Sequence, residues 1–216
     1  MNRPATRPMP SRRVGIQAGA ILAGLLFGVT AQVLRQIVGP LMFLGAGTAP
    51  WVTIGFVLAV SATRRSRSLR NASVLGTETM AAYVFAWLLS YHGLFAVRES
   101  VGFFAAWREA LPWFVTAGPV CLVLGFVAAL SHKSGILGDV CLALPIAWSL
   151  PEVIDSLKGG WSYSAIVALL IAALAVLPLV TIGRRDVSLV TVVFGSAMLG
   201  GVALALLPIV LSQVHS

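Results

Sequence analysis

Residues 136–154 read ILGDVCLALPIAWSLPEVI, and the fold turns on how this stretch is taken. It has the length of a membrane-spanning helix, which needs about 20 residues to cross a hydrocarbon layer about 30 Å thick. Yet it holds two acids, Asp139 and Glu152, and two prolines, Pro145 and Pro151. An acid inside a membrane helix is costly and marks a functional-site hypothesis. A proline-interrupted span also points to binding sites in transporters. Composition supports the membrane reading. Of 216 residues, 58% are hydrophobic and 10% charged, with a mean hydropathy of +0.94. Soluble domains carry about 25% charged residues. The expected class is all-α, a polytopic transmembrane helix bundle in one domain. Long apolar runs, rather than short alternating strands, exclude the barrel.

Working outward, seven runs have spanning length: 14–34, 43–62, 72–92, 112–130, 136–154, 162–182 and 189–211. Residues 1–13 form a basic, proline-rich arm expected to be disordered against the anionic cytoplasmic leaflet. Residues 212–216 are a tail. With the N-terminus inside, the inner segments hold Arg3, Arg7, Arg12, Arg13, Arg64, Arg65, Arg67, Arg70, Lys133, Arg184 and Arg185. The outer segments hold Arg35, Arg98, Arg108 and Lys158. This is the positive-inside pattern, and it places the C-terminus outside. If 136–154 only dipped in and returned, Arg184 and Arg185 would fall outside and spoil it. The net charge of +8 is therefore topological. Nucleic acid is not an expected partner, because that needs a basic face on a soluble module. Val29-Thr30-Ala31 resembles a signal-peptide cleavage site, but the run from Val14 to Leu34 is long enough to span. The expected location is the cell membrane, multi-pass, with the lipid bilayer as first partner.

Small residues pattern the first and last spans. Gly15/Gly19, Gly24/Gly28 and Ser196/Gly200 are four-residue spacings that let helix backbones approach closely. They suit a homo-oligomer or partner-protein face, or plain packing within the bundle. Residues 99–111 place Phe103, Trp107 and Leu111 on one helical face. They read as an interfacial amphipathic helix, either an aromatic anchor or a lid. Trp51, Trp113 and Trp161 fall at the outer boundary, where an aromatic belt is expected. Cys121 and Cys141 lie in apolar runs, without a CxxC pair, and read as packing residues.

The polar groups divide by depth. Glu78 lies about 9–10 Å from the inner end of the third span, and Asp139 about 5–6 Å from that of the fifth. As an intramembrane pair they could share a proton or a cation. The plainer reading ties each to an arginine of the 64–70 or 184–185 clusters. Gln32, Arg35, Tyr91, His92 and Glu152 all fall on the outer side. They form a candidate ligand-binding cluster for a small solute, in which Glu152 and Arg35 could pair. The plainer reading is an interface salt bridge that fixes helix ends and is worth little when wet. Asp139 and Glu152 are not a catalytic pair, being about 140° apart and nearly 20 Å apart on a straight helix.

Enzyme signatures are missing. The chain has no HExxH, no GxSxG elbow and no GxxxxGK[ST]. No catalytic residue, cofactor or metal is expected. Several stretches together carry a resemblance: GAILAGLLFGVTAQVL, GTAPWVTIGFVLA, AAYVFAWLLSYHG, GPVCLVLGFVAAL and LPIAWSLPE. Over residues 18–175 the chain resembles an uncharacterised family of small bacterial multi-spanning membrane proteins, with Gln32, Trp51 and Glu152 as the distinctive matches. That resemblance implies membrane location and supplies no activity. The expected function is a membrane protein that binds or passes a small solute through an outward-facing polar pocket. The alternative is an accessory or scaffold subunit of a membrane complex.

Overall fold

A computed structural model describes residues 10–36, 47–66, 68–100, 102–158 and 192. Their regular structure is helical throughout, in five long helices: α1 (Pro10–Leu34), α2 (Ala49–Thr63), α3 (Leu69–Arg98), α4 (Phe103–Leu130) and α5 (Ile136–Lys158). The ends follow local chemistry. Proline stands in the first turn of α1 and of α2, where a missing N–H costs no helical bond. Ser68 caps α3 by accepting the Asn71 N–H at 3.2 Å. After α3 the chain turns at Ser100, whose φ is 51°. Gly135, at φ 84°, precedes α5, and only glycine adopts that conformation without strain.

Cross-helix contacts give the directions. Arg13 meets Glu78 and Arg35 meets Tyr91, so α1 and α3 run parallel. Trp51 stacks on Trp87 while Thr63 lies beside Gly76, so α2 runs against α3. Gly125 crosses Gly76, and Phe114 stacks on Phe85 at 5.7 Å, so α4 is also antiparallel to α3. Thr48 meets Glu152 near the end of α5 while His132, just before α5, bonds Thr63 at the end of α2, so α5 runs against α2. The bundle thus alternates and has two ends, one marked by Arg13 and the other by Arg35.

Helix α3 is the hub. Met80, Tyr83, Val84 and Leu88 are buried against Val52, Phe56 and Val60 of α2, Cys121, Leu124 and Ala128 of α4, and Leu142 of α5. Close approach depends on glycine. A Cβ at Gly24 would run into the Tyr83 carbonyl, and one at Gly28 into Ser90 and the Trp87 carbonyl. Those two glycines therefore serve packing within the bundle, whereas Gly15 and Gly19 have open space around them. Apolar side chains also face outward. Leu22, Leu26 and Val33 on α1, and Val115, Leu122 and Phe126 on α4, are all exposed. Water would not tolerate so much continuous apolar surface, but lipid does. Among the described residues, Arg12–Leu34, Leu69–Arg98 and Phe104–Leu130 are long and apolar enough to cross a membrane. The 15-residue α2 is shorter. These helices mark a membrane protein.

Three expectations change. The separate helix expected at 99–111 is instead the start of α4, which continues through Pro112 without a break. Ala106 and Ala110 are buried, so this part packs on the bundle rather than lying flat. Trp51 is buried at 6% exposure and belongs to the core rather than to a lipid-facing belt. Helix α3 exceeds the expected 72–92 at both ends and spans about 45 Å at 1.5 Å per residue. The runs 162–182 and 189–211, the tail 212–216, Trp161, Ser196 and Gly200 lie outside the described residues, apart from Val192, which is helical and buried.

Candidate functional site

The Arg35 end gathers the polar residues singled out above. Helix α2 starts there without a local cap, for Thr48 makes no side-chain capping bond of its own. The first turn of a helix leaves N–H donors without intrahelical acceptors. Glu152 supplies the acceptor from α5. Its carboxylate takes the Thr48 N–H at 2.6 Å, the Ala49 N–H at 3.0 and 3.2 Å, and the Thr48 hydroxyl. Trp148, one turn earlier on α5, donates its indole N–H to Thr48 Oγ1 at 3.1 Å. The carboxylate also faces the positive end of the α2 dipole.

Arg35 goes elsewhere. Its guanidinium donates to the Tyr91 hydroxyl at 2.9 Å, and Arg98 donates to Gln36. The expected Arg35–Glu152 pair is thus replaced by two separate contacts that tie α1 to α3 and α5 to α2. Between them runs an aromatic chain. Trp51 and Trp87 stack at 5.0 Å and 19°, Trp87 lies 5.8 Å from Tyr91, and Tyr91 meets His92 edge-on at 5.3 Å.

Several polar atoms here have no partner. Gln32 is 1% exposed, yet its Oε1 accepts no hydrogen bond. The indole N–H groups of the buried Trp51 and Trp87 are likewise unpartnered. Gln32 stands one turn beyond Gly28, whose contacts are Trp87, Ser90 and Tyr91. It therefore lies about 6 Å farther toward the Arg35 end than the Trp87–Tyr91 turn that Gly28 meets. His92 sits apart from Gln32, with Leu88, Ala96, Ala106, Trp107 and Phe114 around a cavity of about 40 Å³. Its Nδ1 is buried without a partner. That volume admits a water molecule, but benzene needs a cavity of about 150 Å³.

The intramembrane acids separate as well. The Glu78 carboxylate accepts from Arg13 through both Nε, at 2.9 Å, and a terminal nitrogen, and from Gln17 at 3.3 Å. It pairs with neither Asp139 nor the 64–70 cluster. Asp139 is 2% exposed in the first turn of α5. At the same end His132 bonds the Thr63 hydroxyl and the Val60 carbonyl, each at 3.0 Å, where α2 finishes. Among the described residues no group of three or more His, Cys, Asp or Glu could hold a metal ion.

Two members of the site escaped the sequence reading. Thr48 opens the run Thr-Ala-Pro-Trp, a helix-start signature that could have drawn attention to it. Trp148 stands four residues before Glu152, hence on the same helical face. No protein-family model matches the chain, and neither a curated protein nor a solved structure does.

Proposed function

We propose that the chain is a multi-pass protein of the cell membrane, with seven spans, a cytoplasmic N-terminus and the Arg35 end outside, and that it binds a small solute between α1, α2 and α3 at that outer end. The solute is uncharged, with at least one hydrogen-bond donor and one acceptor. One observation carries this reading: Gln32 Oε1 and the indole N–H groups of Trp51 and Trp87 are buried without partners. A buried polar group left unpaired costs about 1–3 kcal/mol. Three on adjacent helices make a set of one acceptor and two donors that a carboxamide-like molecule would satisfy. Arg35 and Glu152 are engaged with protein groups, which favours a neutral solute over an ion. Their contacts, with Tyr91, hold the helix ends around the site, while His92 faces the separate cavity against Trp107 and Phe114. Kinship with the family named above belongs to the same proposal. The test is a thermal-shift screen of the purified protein against small amides, ureas and lactams. Stabilisation by members of that class, absent in Gln32→Met, is the expected result. No shift with any of them sinks the reading.

A second reading has its own support. Gly15 and Gly19 on α1 are exposed, with open space where a partner helix could approach. A scaffold role predicts that Gly19→Leu disrupts a co-purifying membrane complex while leaving the fold intact. An unchanged complex rejects it.

A further inference from the structure

We propose that the Arg13 end docks the phosphate groups of anionic phospholipids through Arg64, Arg65 and Arg70. These three side chains are exposed and belong to the connection between α2 and α3 or to the first turn of α3. The ion pair among the described residues is Arg13–Glu78, and none of the three takes part in it. They share the Arg13 end of the bundle, because Thr63, just before Arg64, packs beside Gly76 in the first half of α3 and is hydrogen-bonded to His132 of the α4–α5 connection. Lys133, also exposed, is in that connection. The acids of the described residues at this end are Glu78, engaged by Arg13, and Asp139, which is buried. Among the described residues Arg64, Arg65 and Arg70 therefore remain as a positive rim.

Its position decides what it meets. Immediately along the bundle from the arginines stand the exposed apolar side chains Val74, Leu122, Phe126, Ile136 and Leu137. A rim of cations bordering an apolar belt is set at the headgroup level of a bilayer. Guanidinium groups fork onto phosphate oxygens with paired N–H donors, which lysine cannot do. Anionic leaflets attract such basic residues near the surface. A soluble phosphate compound would gain the charge contact but leave the adjoining apolar belt unused, so the committed occupant is lipid.

The experiment uses the full-length protein in nanodiscs of phosphatidylcholine alone, or with a third of the lipid as phosphatidylglycerol. The readouts are the thermal midpoint and the lipid retained on extraction, measured by mass spectrometry. At low salt the wild type is expected to retain phosphatidylglycerol several-fold over phosphatidylcholine and to melt higher in its presence. Both effects should fade as salt shortens the screening length from about 30 Å to about 3 Å. The triple variant Arg64→Gln/Arg65→Gln/Arg70→Gln should lose the preference. Equal retention of the two lipids by wild type at low salt overturns the proposal, and needs no variant. So does an unaltered preference in a folded triple variant, or equal stabilisation by inorganic phosphate in phosphatidylcholine discs.

Discussion

The Glu152 carboxylate completes a helix whose first residue, Ala49, stands 103 residues earlier in the chain. Hydrogen bonds to a charged group contribute about 1.5–3 kcal/mol, and losing a helix cap costs about 1 kcal/mol. Glu152→Ala should therefore lower stability by about 1.5–3 kcal/mol, read as a fall in the detergent-solubilised thermal midpoint. Glu152→Gln keeps an acceptor oxygen and should lose less. Equal midpoints for all three proteins would show the cap to be idle. Gln32 predicts the opposite sign. Gln32→Met keeps length and removes an unpartnered acceptor, so the ligand-free variant should be about 1–3 kcal/mol more stable than wild type. A destabilised variant would mean that Gln32 is bonded within the protein. Both residues were visible in the sequence, because an acid behind a proline and an amide in an apolar run stand out. Their partners were not. Arg35 and Glu152 shared an end, so pairing them was reasonable, but depth does not say which side of the bundle a residue faces. Glu78 had nearby arginines in sequence, and the folded chain gives it Arg13 through the parallel packing of α1 on α3.

Helix crossings set the next scale. Where α3 and α4 cross, a Cβ on Gly76 would lie 2.5 Å from the Gly125 carbonyl oxygen, and a Cβ on Gly125 would strike the Thr77 backbone. Backbone cannot swing aside as a side chain can. Gly125→Val should force the two helices apart, at a cost of at least about 1–3 kcal/mol for overpacking. Gly118, on the same helix with nothing within 4 Å, is the control: Gly118→Ala should be neutral to slightly stabilising. Equal effects at the two positions in thermal unfolding would contradict the crossing. The small-residue spacings of α1 were legible beforehand, but not their division into a buried pair, Gly24 and Gly28, and an open pair, Gly15 and Gly19. Spacing fixes a face, and only the neighbouring helix fixes which half is covered. The same holds for α4. The expected break between 111 and 112 does not occur: Pro112 removes one helical bond, and a helix packed on neighbours tolerates that loss. Ala106, Ala110 and Ala117 give α4 a small-residue face that lies on the bundle across the proline.

At the scale of the molecule, the alternation of α1 to α5 and the placing of the cations make a single orientation prediction. Ser134 is exposed at the Arg13 end and Ser100 at the Arg35 end. Cys121 and Cys141 are buried and should not react. In intact cells, a membrane-impermeant thiol reagent should label Ser100→Cys and spare Ser134→Cys until the membrane is opened. The reverse pattern would invert the proposed topology. Fold class and membrane setting were legible from composition alone, since so apolar a chain has few other folds open to it. The embrace between α2 and α5 was not, and it bears on how the protein is made. Ribosomes add roughly 5–20 residues per second, so Glu152 is synthesised about 5–20 s after Thr48. For that interval the start of α2 must rely on a substitute acceptor, such as interfacial water, a lipid headgroup or an insertion factor. The start of α2 is therefore left unfinished while the next helices are made, and the fifth helix completes it several seconds later.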